Sequence, residues 1–309
     1  MRLTCHTNGV FPIAPTPFLE NGAIDGNSID RLLDFYLASG ASGLTVLGQL
    51  GEASKLEYAE SLEVATRMIR GAGNLPVVVG VTAPGFAAMR ALTSEVMDRG
   101  AAGVMIAPPN TLRTDEQIFS YYSQAVEAIG SDVPFVLQDY PLTFSVQMSP
   151  TVIRRIVNEL ESCVMLKHED WPGLEKISAL RRFENEGSMR RISILCGNNG
   201  LFLDQELQRG ADGANTGYCF PDMLCEMVTE VRAGRVEQAL DLFDAHLPLL
   251  RYEQQPGVGL AVRKYVLMRR GLLQSDRQRR PFAPLSEQAV FEVEFLLARL
   301  AKRDPRARL

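Results

Sequence analysis

Lys167 closes the apolar run Cys163-Val164-Met165-Leu166 and is followed at once by His168-Glu169-Asp170. Lysine is scarce here: the chain has five (55, 167, 176, 264 and 302) among 32 lysines and arginines. A short apolar run reads as a buried strand. Burial disfavours an ammonium, and an amine that has shed its proton is a nucleophile toward a carbonyl. Side chains alternate along a strand, so an extended chain past Lys167 puts Glu169 on the lysine's face and turns His168 away. Glu169 is therefore the candidate general base, despite the more convenient titration range of histidine. The same period puts Tyr140 on the face of Gln138, where its phenol either moves a proton or simply packs. Gln138 cannot titrate, but its amide can hold a hydroxyl or a water. The plainer alternatives are a strand-ending lysine that snorkels into solvent and an ordinary loop carboxylate at 169.

These residues need a frame, and the chain has a rhythm that supplies one. Apolar runs stand at 10–14, 43–47, 77–81, 103–107, 134–138, 164–167, 192–196 and 213–217. Amphipathic stretches separate them, such as Ile29, Leu32, Leu33 and Tyr36, or Ile118, Tyr122, Ala125 and Val126, spaced three and four apart. Eight such alternations predict a (β/α)8 TIM barrel, with a doubly wound open sheet as the competing arrangement. Three helical stretches follow, near 235–252, 258–270 and 286–301, and read as a C-terminal helical extension. The expected division is a barrel over 1–233 and an extension over 234–309, within one structural unit. In such a barrel the chemistry sits at the C-terminal ends of the strands, where Lys167 falls.

Around that face lie further candidates. Gly48-Gln49-Leu50-Gly51 follows the second run, and its backbone N–H groups can cradle a small carboxylate, if it is more than a plain turn. Asn215 and Thr216 on the eighth run, with Asn198-Asn199 after the seventh, offer hydrogen bonds to a polyol or form a merely polar loop.

Composition narrows the partners. A net charge of −5 excludes a general nucleic-acid or anionic-membrane surface. The basic stretches at 277–280 and 302–308 read as a solvated loop and a frayed terminus. No apolar run approaches membrane-spanning length, and the N-terminus has no apolar signal segment. Five cysteines without a C-x-x-C pair fit reduced thiols in a cytoplasmic protein. Three histidines are too few for a histidine metal cage. A cation held by His168, Glu169 and Asp170 would need consecutive side chains to converge. No metal and no cofactor are expected.

The opening Gly9-Val10-Phe11-Pro12-Ile13-Ala14-Pro15-Thr16-Pro17-Phe18, Gly48-x-x-Gly51-Glu52, Ala107-Pro108-Pro109 and Leu166-Lys167 resemble the dihydrodipicolinate synthase / N-acetylneuraminate lyase superfamily. The resemblance runs over nearly the whole chain. It implies a (β/α)8 barrel, a homotetramer or dimer of dimers, and a Schiff base between Lys167 and a 2-keto acid such as pyruvate. Departures are equally specific. Gln49-Leu50 stand where well-known members carry hydroxyl residues, and Gln138 stands where they carry a proton-relaying tyrosine. Pro109-Asn110 replace a tyrosine pair, and Pro141-Leu142-Thr143-Phe144 lacks the synthases' arginine. Gln138-Asp139-x-Pro141, Lys167-x-Glu169-x-x-Pro172-Gly173, Phe220-Pro221-Asp222 and Leu247-Pro248-Leu249-Leu250-x-x-Glu253 resemble the L-2-keto-3-deoxyarabonate dehydratase-like branch.

The expected function is a metal-independent Schiff-base lyase, a 2-keto-3-deoxy sugar acid dehydratase. The alternatives are a pyruvate-dependent retro-aldolase, a synthase-like condensation, or an impaired barrel that binds sugar acids. The expected site holds Lys167, Glu169 and Tyr140 as catalytic residues. Gly48, Gln49, Leu50, Gly51, Gln138, Asn215 and Thr216 are expected to bind substrate.

Overall fold

The computed structural model describes residues 1–171 and 173–309. The strands are β1 (Gly9–Pro12), β2 (Leu44–Val46), β3 (Val77–Gly80), β4 (Gly103–Ile106), β5 (Phe135–Asp139), β6 (Cys163–His168), β7 (Ser193–Cys196) and β8 (Gly213–Thr216). Every pair is parallel, and β1 pairs with β8. Ala14 N donates to Thr45 O at 2.9 Å and Ser42 N to Val10 O at 2.8 Å, so the ends of the sheet also meet. That closure makes a (β/α)8 barrel and rules out the open sheet.

All eight strands are buried on both faces, apart from Val164, which is why they read as near-continuous apolar runs. One apolar cluster lies between strands and helices. A second, smaller cluster holds Phe11, Val78, Met105, Val136, Met165 and Leu195. Met105, Val136 and Met165 are register partners and so share one face, the barrel interior. Two residues further along, on the same face, the partners are Gln138 and Lys167. The interior therefore changes from methionine and valine to amide and amine within one strand repeat.

Helix ends are set by local chemistry. Thr114 and Gln117 form a capping box at helix Asp115–Ile129, with Asp115 and Glu116 in the first turn. The C-terminal helices are Val236–Glu253, Gly259–Arg269 and Glu287–Leu300. Among the described residues, no helix is long and apolar enough to cross a membrane.

Two expectations about basic segments need correction. Arg279 is not solvated: its guanidinium bonds Glu60 and Gly22 O, and its backbone N–H donates to Glu52 Oε2 at 3.0 Å. The C-terminal tail is docked, with Arg306 on Glu226 at 3.0 Å and Asp304 on His246 at 2.8 Å.

Candidate active site

Strand six keeps its extended path past the lysine. Glu169 N donates to Asp139 O and Gly197 N to His168 O, both at 2.8 Å. The period-two expectation follows: Glu169 comes to the lysine, with Nζ to Oε2 at 2.7 Å. Both side chains are nearly closed off from solvent, 3% and 6% exposed. Gln138 Nε2 donates to the same Oε2 at 2.9 Å. Asn198 Nδ2 holds the backbone oxygen of Glu169 at 3.1 Å. The carboxylate is also pressed against β7: a Cβ on Gly197 would stand 2.1 Å from Glu169 Cγ. Only glycine leaves that room.

A cavity of about 100 Å³ opens over this pair. Ile13, Gln49, Leu50, Gln138, Tyr140, Thr143, Lys167, Glu169, Asn198, Asn199, Thr216 and Gln254 line it. Gln49–Gly51 is a one-turn 3-10 helix with Gly48 as its N-cap. The N–H groups of Gln49 and Leu50 begin that turn and have no partner inside it, which suits them to a carboxylate. A wider cavity of about 570 Å³ adjoins through Gln49, Gln138 and Thr143, and Gly48 and Asn110 belong to it. Burial holds the Tyr140 phenol above its usual range, and the Glu169 charge adds to that, so the hydroxyl stays a donor.

Lys167, Glu169, Tyr140, Gln138, Gln49, Leu50 and Thr216 thus meet in one cavity. Gly51 and Asn215 do not line it. Gly51 faces the core instead, its carbonyl accepting from Thr16 Oγ1 at 2.6 Å. Asn215 is the register partner of Phe11, shares its interior face and is fully buried. Period gives its face but not its depth. The segment motif beginning at Lys167 includes Pro172, which lies outside the described residues.

His168, Asp139 and Asp170 form a separate group behind the lysine. Lys176 Nζ lies 2.7 Å from Asp139 Oδ2 and 2.7 Å from Asp170 Oδ2. Burial pushes the Asp139 carboxyl up to about 6, with Lys176 opposing it. Burial, with the Lys176 charge, drops the His168 imidazole to about 4, so the ring is neutral at pH 7. Glu169 turns to Lys167 and Gln138, while Asp170 pairs with Lys176. Among the described residues, no three His, Cys, Asp or Glu side chains are grouped to hold a metal ion.

The loop after β2 has its own support. Glu52, in the left-handed region at φ 55°, is buried and takes Lys264 Nζ at 2.6 Å and Lys55 Nζ at 3.0 Å. Lys264 also donates to Thr16 O and Arg277 O. Burial lowers its amine to about 8, against the pull of Glu52. Gln254, Glu253, Arg263 and Lys264 all come from the C-terminal helical region and were missing from the sequence-derived site. The available signals were the scarcity of lysine, since Lys167, Lys176 and Lys264 are all buried, and the place of Glu253 in the motif that begins at Leu247.

The model of the dihydrodipicolinate synthetase family matches residues 6–300. The chain belongs to this family. Like other members of the dihydrodipicolinate synthetase family it is a Schiff-base lyase. It is 30% identical over 303 residues to the L-2-keto-3-deoxyarabonate dehydratase of Azospirillum brasilense, covering 96% of this chain and 94% of that one. It is 26% identical over 302 residues to the 4-hydroxy-tetrahydrodipicolinate synthase of Methanothrix thermoacetophila, covering 95% and 97%. Among solved structures, a chain described as dihydrodipicolinate synthase from Rhodopseudomonas palustris is 64% identical, with a TM-score of 0.96, covering 97% and 99%.

Proposed function

We propose that this lyase dehydrates a 2-keto-3-deoxy sugar acid through an imine on Lys167. The observation that carries the reading is the buried Lys167–Glu169 pair, 2.7 Å apart, under a cavity walled by amides and hydroxyls. The substrate carboxylate would take the N–H groups of Gln49 and Leu50. Glu169 accepts a proton from the ammonium, and the freed amine adds to the C2 ketone; Glu169 returns that proton to the carbinol hydroxyl, which leaves as water to give an iminium. The iminium withdraws electrons from C3, whose proton passes to Glu169 to give an enamine. The enamine pair then expels the C4 hydroxyl, which leaves as water with a proton from Tyr140. The lysine supplies the electron sink, so the route calls on no metal or cofactor.

The same iminium supports cleavage between C3 and C4, and the name of the Rhodopseudomonas palustris relative favours a condensation instead. Against a synthase stands the lining: among the described residues, Lys167 is its only cationic side chain. The test is incubation with 2-keto-3-deoxyarabonate, followed by borohydride and peptide mass analysis. Expected are loss of water from free substrate and a reduced adduct on Lys167, both abolished in Lys167→Ala. An absence of adduct with this acid and with pyruvate would sink the reading. Condensation of pyruvate with aspartate semialdehyde would replace it by the synthase.

A further inference from the structure

The polarity of the cavity's amides is set by their neighbours. Ionised Glu169 can only accept hydrogen bonds, so Gln138 must give it the NH₂ end and keep its Oε1 for the cavity. A guanidinium can only donate, so Asn199 must turn its Oδ1 to Arg263 Nη2, 2.5 Å away. One amide hydrogen of Asn199 then reaches Glu253 Oε1 at 3.3 Å, and the other is left for the cavity it lines. Asn198 is fixed likewise, its Oδ1 accepting from Gln254 Nε2 at 3.3 Å.

Arg263 and Glu253 are 2% and 1% exposed, an ion pair with Nε to Oε1 at 2.6 Å. Glu253 Oε2 accepts the backbone N–H of Cys219 at 3.0 Å, which anchors the pair to the end of the barrel. The guanidinium presses on Gly217, where a Cβ would lie 1.7 Å from Nη1. A buried ion pair is costly to build and stabilises less than its geometry suggests, so its placement against a cavity residue is informative.

We propose that Glu253 and Arg263 are positioning residues for substrate specificity: they lock Asn199 with an N–H toward the cavity. That donor, with the acceptor Oε1 of Gln138, selects a neutral hydroxyl on the substrate tail. A hydroxyl both donates and accepts, so it satisfies both amides; a methylene satisfies neither. The inference rests on the reading of the cavity as a 2-keto acid site and extends it to the C-terminal helices.

The experiment compares a matched pair of acids, 2-keto-5-hydroxypentanoate and 2-ketopentanoate, which differ by one tail hydroxyl and carry no C4 hydroxyl to expel, by calorimetric binding to the full chain, with borohydride trapping run beside it. Wild type is expected to bind the hydroxylated acid about tenfold or more tightly, the scale of one lost buried hydrogen bond. Asn199→Leu and Arg263→Lys should each remove most of that preference, leaving 2-ketopentanoate binding within about twofold. The double variant should lose no more than either single one. Retained 2-ketopentanoate binding also reports a folded cavity. Equal losses for both acids, an unchanged preference, or no binding of either acid to wild type would overturn the proposal. Binding without any borohydride adduct would instead refute the Schiff-base role of Lys167 and leave the selectivity device standing.

Discussion

Replacing Glu169 by glutamine isolates the proton-transfer step. Oε2 of Glu169 receives both Lys167 Nζ at 2.7 Å and Gln138 Nε2 at 2.9 Å. A glutamine oxygen can occupy the same place and keep both contacts, and the close approach to Gly197 holds the side chain there. What the amide cannot do is take a proton. Imine formation persists, because a buried amine without a counter-charge favours its neutral form. Proton removal at C3 loses its base, worth about 10²- to 10⁴-fold, or about 3–5 kcal/mol. The assay is exchange of the pyruvate methyl protons in D₂O, followed by NMR, with borohydride trapping at Lys167 as the control. Trapping should survive in Glu169→Gln while exchange collapses. Exchange within about threefold of wild type, with trapping intact, would remove Glu169 from the chemistry.

Gly197→Ala should push Glu169 out of place, since the new Cβ would lie 2.1 Å from Cγ. A displacement of about 1 Å is expected to cost on the order of 10²-fold in exchange rate, and wild-type exchange would contradict the packing argument. Lys264→Met leaves Glu52 buried without its closest cation, and should cost about 3–5 kcal/mol in urea unfolding. A change below about 1 kcal/mol would show the loop to be held elsewhere. Glu206 gives a pH test. Burial raises its carboxyl to about 8 from 4.5, so over that range the unfolded chain releases a proton that the folded chain keeps. Wild-type stability therefore falls as pH rises from about 4.5 through about 8. Glu206→Gln removes that loss and should be the more stable chain at pH 8 by a few kcal/mol, with near-equality at about pH 4.5. Parallel stability curves would refute it.

The barrel was legible because parallel strands buried on both faces stay apolar throughout. The pairing of Glu169 with Lys167 was legible for a similarly local reason, the two-residue alternation. Height along the barrel axis was not. Asn215 has the right face yet lies beside Phe11, and β5 runs one residue past Gln138, where Asp139 pairs in register with His168. The C-terminal contribution was hidden for another reason. Helix Gly259–Arg269 buries Ala261, Val262, Arg263 and Lys264 in succession, so it shows no apolar stripe to separate structural from solvated charge. Arg279 looked solvated because its carboxylate, Glu60, lies far away in sequence, and Arg306 because the tail is docked by Glu226 and His246, also distant in sequence.

The bonds that finish the cavity wall join Asn199 to Glu253, Asn198 to Gln254 and Asn199 to Arg263, across 54, 56 and 64 residues, and Glu52 reaches Lys264 across 212. A ribosome makes the nucleophile long before it makes these closing residues. Until residue 264 has emerged and its helix has docked, the nascent chain carries Lys167 without the wall that selects what reaches it. Enzymatic competence is then a late event in the life of each molecule, set by the arrival of its last helices.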